Sequence, residues 1–135
     1  MEIDTDDFKI RQALISIKPE YIEKIFNRVK HWELRKQNIN ANHFIVYATA
    51  PVKMVVGQFF CDEIIIDNPE HFYSRFSWGL GIKRKDFDAY FAGKERCYAH
   101  HIHSPQLFPK PLPITHYGLK RPPQSFCYLK QEIEA

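Results

Sequence analysis

Residues Leu14 to Lys36 read LISIKPEYIEKIFNRVKHWELRK, and the plan of the chain is set in this stretch. A period of two puts Ile15 and Ile17 on one side of a strand and Leu14, Ser16 and Lys18 on the other. Pro19 ends that strand and suits the first position of a helix, where its missing N–H has no partner to lose. Ile22, Ile25, Phe26 and Val29 then recur at helical spacing, which predicts an apolar stripe facing a sheet, with Glu20 and Lys24 as an outward i, i+4 pair. The helix is expected to end at Asn27 or Arg28, with asparagine tolerating the left-handed cap, and Lys30 falls in the turn that follows. In HWELRK the period of two returns, pairing Trp32 with Leu34 and Glu33 with Arg35 on the opposite side. If the two strands lie close, Ser16, Lys18, Lys30, Glu33 and Arg35 converge on one cleft.

A chain of 135 residues, 44% hydrophobic and 26% charged, is long enough for one domain to bury a core without disulfides or a structural metal. Nineteen Lys and Arg against sixteen Asp and Glu leave a net charge of +3, too mild to identify a nucleic-acid partner by itself. Because the opening MEIDTDD is acidic, the rest is more basic than the total suggests. Cys61, Cys97 and Cys127 are odd in number and far apart, which argues against a disulfide framework or zinc knuckle and for reduced, mostly buried thiols. With an acidic start and no long apolar run, neither a signal peptide nor a membrane span is expected, and the reading is a soluble, cytoplasmic protein. Residues 1–11 form an extension of no clear pattern, in which Phe8 and Ile10 can dock as a short strand or turn.

Beyond a polar QNINAN loop, HFIVYATA reads as a buried strand closed by Pro51, and KMVVGQFFCDEIIID as a long strand with a bulge or bend at Gly57 and at Asp62–Glu63. Asn68 followed by Pro69 signals a helix start, with Phe72 and Phe76 on the buried side. A second short helix carries Phe87, Tyr90 and Phe91 and stops at Gly93. Arg96 to His103 alternates as a strand, with Cys97, Ala99, His101 and His103 on one face. From Pro105 the prolines predict extended connections wrapping the body rather than a central strand, ending with Phe126, Tyr128 and Leu129 packed down. Many short strands, few short helices and no βαβ repeat indicate an α+β domain around a small curved sheet or β-barrel.

The segment SIKPEYIEKIFNRVKHWELRK resembles the signature of ASCH domains, members of the PUA-like superfamily of small barrels. Its pattern is a strand ending in SIKP, a helix and then GxKxxExR, so Lys30, Glu33 and Arg35 stand at the Lys, Glu and Arg positions. Arg28 stands where the family has glycine, which puts the usual tight turn in question and adds a positive charge. VYATAPVKMVVGQF (46–59) and PPQSFCYL near the end resemble two further blocks, so the likeness covers most of the chain. It implies a barrel with a cleft beside the first helix and nucleic acid, RNA above all, as ligand. Family members also include amidohydrolases that deacylate a modified cytidine and proteins with ribonuclease activity. The deacylase members carry threonine at the position of Glu33, which weakens transfer of their mechanism.

Lys18, Arg28, Lys30 and Arg35 are candidates for holding a phosphate or a base edge; the alternative is a solvated face with Glu33 paired to one of them. Glu33 can act as an acid or base if the cleft desolvates it, or simply orient Lys30 and Arg35, the role favoured here. Lys30 can serve as a base or nucleophile only if burial lowers its pKa against the pull of Glu33. Tyr47 and Thr49 share a strand face and can set a ring and a hydroxyl on the cleft wall, with plain sheet packing the commoner fate of a strand tyrosine. Ser16, Gln124 and Ser125 are polar candidates for base readout, with capping or turns as the alternative. Trp78 can be a stacking platform, although a large aromatic between short helices more often fills core. His101 and His103 lack a near third ligand, so no metal is expected, and no motif implies a cofactor.

Binding of RNA or a modified nucleotide through a basic cleft, in RNA metabolism or translation-linked regulation, leads on this reading. The enzyme alternative is a small hydrolase, a modified-cytidine amidohydrolase or a ribonuclease, using Lys30 and Glu33. A protein-interaction domain with no nucleic-acid ligand is the third.

Overall fold

The structure, a computed structural model, describes residues 9–130. In chain order its elements are β1 (Gln12–Ile17), α1 (Pro19–Phe26), β2 (Trp32–Arg35), β3 (His43–Ala48), β4 (Met54–Asp67), α2 (Pro69–Phe76), α3 (Arg84–Tyr90), β5 (Cys97–Leu112) and β6 (Phe126–Tyr128). Short 3-10 turns lie at Ser77–Gly79 and Ile114–Tyr117. The strands form one sheet in the order β2-β5-β4-β3-β1-β6, in which β1 and β3 pair in parallel and the other neighbours are antiparallel. The α+β class and the curved sheet expected from the sequence are what is found. Phe8 lies outside the described residues, and Ile10 is half exposed and in no strand.

Both faces of the sheet are covered, which explains why β1 is buried along almost its whole length. Ala13, Ile15 and Ile17 join Ile22 and Ile25 of α1, Phe44, Val46 and Phe59 in the inner core. Leu14 faces the other way, packing with Ile45, Tyr47 and Val55 under Phe108, Leu112, Ile114 and Leu129. Trp32 and Leu34 of β2 form a third cluster with Phe72, Leu80, Phe87 and Phe91, so α2 and α3 are held on the sheet by aromatic contacts. Asn68 caps α2 as its motif predicts, its side-chain oxygen accepting from the Glu70 and His71 amides.

The bends expected in β4 are present: its register against β5 slips between Val55 and Gly57 and again between Cys61 and Ile64. At Gly57 a Cβ would lie 2.6 Å from the Gln106 carbonyl oxygen and 2.7 Å from the Phe26 ring, so only glycine lets β5 and α1 approach. The proline-rich segment differs from its expectation. β5 continues through Pro105, Pro109 and Pro111 to Leu112, still paired to β4. The reason is that β2 flanks β5 only from Tyr98 to His101; beyond it β5 is an edge, where residues without an N–H are tolerated. The chain after Leu112 does wrap the body.

The end of α1 also departs from expectation. Asn27 keeps a φ of −85°, and it is Arg28 that takes the left-handed conformation at φ 62°. The Val29 amide donates to the Lys24 carbonyl (2.9 Å) and the Arg28 amide to that of Ile25 (3.1 Å), a Schellman closure. The turn therefore survives with arginine at the glycine position, and Val29 is swung out of the stripe to 53% exposure. Lys24 does not pair with Glu20; its ammonium donates to the Gly81 carbonyl at 3.0 Å. Trp78, expected in the core, is 71% exposed. The three cysteines are free thiols, and burial pushes Cys97 up to about 11.

His100 is fully buried between two backbone groups. Its Nε2 accepts from the Ile39 amide at 3.2 Å, so the ring proton must sit on Nδ1, which donates to the Glu33 carbonyl at 3.1 Å. Burial lowers its pKa below the usual 6.5. In that case the unfolded chain takes up the proton first: the contribution is complete above about pH 6.5 and is lost as pH falls towards the folded-state value. Stability measured by urea unfolding is expected to fall more steeply below that pH in the native chain than in His100→Gln; equal slopes would contradict the tautomer assignment. Replacing Arg28 by glycine is expected to stabilise the fold by about 1 kcal/mol, read as a higher urea midpoint at unchanged slope, because the left-handed residue no longer carries a Cβ.

Candidate functional site

Curling of the sheet brings its two edges together, and between them opens a cleft of about 760 Å³. The end of β1 supplies Ser16 and Lys18, α1 supplies Tyr21, the turn and β2 supply Lys30, Glu33, Arg35 and Lys36, α3 supplies Tyr90, and the segment before β6 supplies Gln124 and Ser125. The alternation of β2 explains the division: Trp32 and Leu34 go into the aromatic core, and Glu33 and Arg35 face the cleft.

Arg35 is spent on the architecture. Its Nε donates to Glu33 Oε1 at 3.1 Å, one terminal nitrogen to the Ser125 hydroxyl at 3.0 Å and the other to the Ser16 carbonyl at 3.1 Å. Ser16 in turn donates its hydroxyl to the Pro123 carbonyl at 2.7 Å. These polar groups on β1, β2 and the C-terminal segment therefore fasten the cleft as well as lining it.

Lys30 and Glu33 are different. Lys30 is 5% exposed, and its ammonium donates to the Leu80 carbonyl at 3.1 Å. Gly81, in the left-handed region at φ 62°, packs so tightly that a Cβ there would lie 2.8 Å from Lys30 Cβ. Burial pushes the lysine below its ordinary pKa; the Glu33 carboxylate opposes the shift, and Arg35 and Lys24 add to it. Glu33 is 7% exposed, and its second oxygen, Oε2, is buried without a hydrogen-bond partner among the described residues. A buried acceptor left unmet carries a desolvation cost of roughly 1–3 kcal/mol.

Two rings that sequence reasoning missed stand at this site. Tyr21 has the Lys24 and Lys30 ammonium groups 5.8 and 5.7 Å from its ring centre, and Tyr90 carries the Lys36 ammonium at 4.4 Å. Burial raises both phenols, with the Glu20 charge next in effect at Tyr21. Tyr21 was visible as an aromatic off the Ile22–Ile25 stripe in the first helical turn, whereas Tyr90 reads as part of the apolar face with Phe87 and Phe91. With Glu20, Glu33 and Asp86 set against Lys18, Lys30, Arg35 and Lys36, the lining is mixed in charge rather than uniformly basic.

Of the other candidates, Thr49 lines the cleft, while Tyr47 is buried with Leu14, Ile45 and Val55 and does not. Arg28 lies elsewhere, in a shallow recess with His103 and Gln106. His101 is occupied by Asp62 at 2.6 Å, and among the described residues no three His, Cys, Asp or Glu side chains gather as a metal site. No helix among the described residues is long and apolar enough to cross a membrane.

No family model matches the chain. In structure it is similar to the ASCH protein of Zymomonas mobilis, with a TM-score of 0.81 at 25% identity over 89% of this chain and 88% of that one. In sequence it is 29% identical over 132 residues to the ASCH domain-containing ribonuclease of Zymomonas mobilis subsp. mobilis, covering 90% of this chain and 86% of the relative. It is also 30% identical over 86 residues to the large ribosomal subunit protein uL22 of Ureaplasma parvum serovar 3, covering 64% of this chain and 28% of the length of that protein. The SIKP and KxxExR segments around the cleft and the near full-length likeness to the Zymomonas protein agree: the chain is similar to ASCH domains in sequence and has their PUA-like α+β fold.

Proposed function

We propose that this single ASCH domain binds one nucleotide of an RNA chain, or a modified nucleotide, in the cleft, and acts in RNA metabolism in the cytoplasm. The observation that carries the reading is the cleft floor, which holds both a buried ammonium and a buried carboxylate with one oxygen unpaired among the described residues. A nucleobase edge presents donors and acceptors side by side, which is what such a floor can satisfy. The faces of Tyr21 and Tyr90 offer stacking, and Lys18 and Lys36 can meet phosphate oxygens. A volume of about 760 Å³ is in the range of small-ligand sites. The name of the Zymomonas relative, a ribonuclease, supports an RNA ligand.

Hydrolysis is the second reading, favoured by the condition on Lys30 that the sequence left open. Burial does lower its pKa despite Glu33, which raises the share of neutral amine able to accept a proton from an attacking hydroxyl. Incubating the protein with labelled RNA and with acylated cytidines, beside Lys30→Ala and Glu33→Gln, tests this; turnover equal in all three proteins removes the pair from any mechanism.

For binding, short single-stranded RNA should associate at low salt, with log affinity falling by about 0.7 per phosphate neutralised as log salt rises. Lys30→Ala should weaken binding by about tenfold, the cost of one charge-assisted contact of about 1.4 kcal/mol. Absence of RNA and nucleotide binding at low salt would overturn the proposal.

A further inference from the structure

Trp78 is the most conspicuous side chain that the cleft leaves unexplained. Its indole is 71% exposed, yet it is held in place. The ring lies 5.2 Å from the His31 imidazole at 55°, the His31 amide donates to the Gly79 carbonyl at 2.7 Å, and a Cβ on Gly79 would come 3.3 Å from the His31 ring. A large aromatic fixed in water is a ready stacking surface, since little ordering remains to be done on binding.

Beside it runs the turn that closes α1. Arg28 and half-exposed Val29 precede His31, and the His31 carbonyl accepts from the Ile102 amide at 2.8 Å, which sets this turn against β5. There Arg28 and His103 line a recess of about 480 Å³. The Arg28 guanidinium makes no hydrogen bond or ion pair among the described residues, although its backbone sits in a conformation that glycine would adopt without cost. The loop that bears Trp78 also supplies the Leu80 carbonyl to Lys30, so the indole stands two residues from the group anchoring the cleft floor. An exposed ring and a cation thus flank the turn from Arg28 to His31, whose Lys30 reaches into the cleft.

We propose that single-stranded RNA occupying the cleft continues over this turn, a flanking base stacking on Trp78 and a phosphate held by Arg28. The proposal rests on the cleft reading above and adds a second nucleotide site to it. An unpaired strand is the fitting occupant because its base faces are free to stack, whereas those of a duplex are not.

The chain has two tryptophans, and Trp32 is only 5% exposed, so acrylamide quenching of fluorescence reads Trp78. Three probes are used on the full chain: mixed ribonucleoside monophosphates, a mixed-sequence single-stranded RNA hexamer and the same hexamer as a duplex. The hexamer should shield the indole from acrylamide, and the monophosphates and the duplex should not. Trp78→Ala should weaken hexamer binding about tenfold and leave monophosphate binding unchanged. Arg28→Gly should weaken it too and lower the salt slope by about 0.7, one phosphate contact. Unaltered quenching with bound hexamer, or native hexamer affinity in Trp78→Ala, overturns the second nucleotide site while monophosphate binding keeps the cleft. Hexamer that shields Trp78 but binds Lys30→Ala as well as the native chain overturns both the cleft reading and the continuous strand built on it.

Discussion

The side chain on which the site most depends is Arg35. In the sheet order β2-β5-β4-β3-β1-β6 its strand is one edge, and β6, beside β1, is the other. Arg35 spans the gap, reaching the Ser16 carbonyl at the end of β1 and the Ser125 hydroxyl just before β6. The Asn40 amide, donating to the Tyr128 hydroxyl at 3.1 Å, makes a second tie across the same gap. A twisted sheet of this size curls, and these contacts decide where its edges meet. The cleft is the space left between them, so the residues that close the sheet are also its walls.

Within that frame the floor is poorly satisfied for a buried place. The Lys30 ammonium has three donors and is given the Leu80 carbonyl; Glu33 spends one oxygen on Arg35 and has none for the other. Apolar residues of similar volume would serve stability as well or better. Yet the surroundings are built around these two groups: Gly81 gives up its side chain to admit Lys30, and His100 pins the Glu33 backbone from behind. A local arrangement that costs stability and is nonetheless held firmly supports the proposal that this pair serves a site.

Much of this was legible in sequence because it follows from short-range periodicity. The alternation of β1 and β2 put Glu33 and Arg35 on one side, Asn68–Pro69 announced α2, and Gly57 marked a close approach. What was hidden depends on long-range placement. No pattern within residues 105–112 tells that β2 stops short and leaves β5 an edge able to carry prolines. Tyr47 alternates as a wall residue does, but the C-terminal segment covers its face. Arg28 takes the turn expected of asparagine because the hydrogen-bond closure, rather than propensity, decides which residue goes left-handed. Trp78 reads as core by size and lies in solvent because Gly79 brings its loop hard against His31.

The state of Lys30 is the most direct test. Side-chain NMR of labelled lysine, with Lys30 assigned by loss of its signal in Lys30→Arg, follows its titration with and without ribonucleoside monophosphates. The expected result is a Lys30 signal that titrates at lower pH than the surface lysines and shifts when nucleotide is added. A Lys30 that titrates with the others and is unmoved by saturating nucleotide would contradict its place on the floor of a nucleotide site.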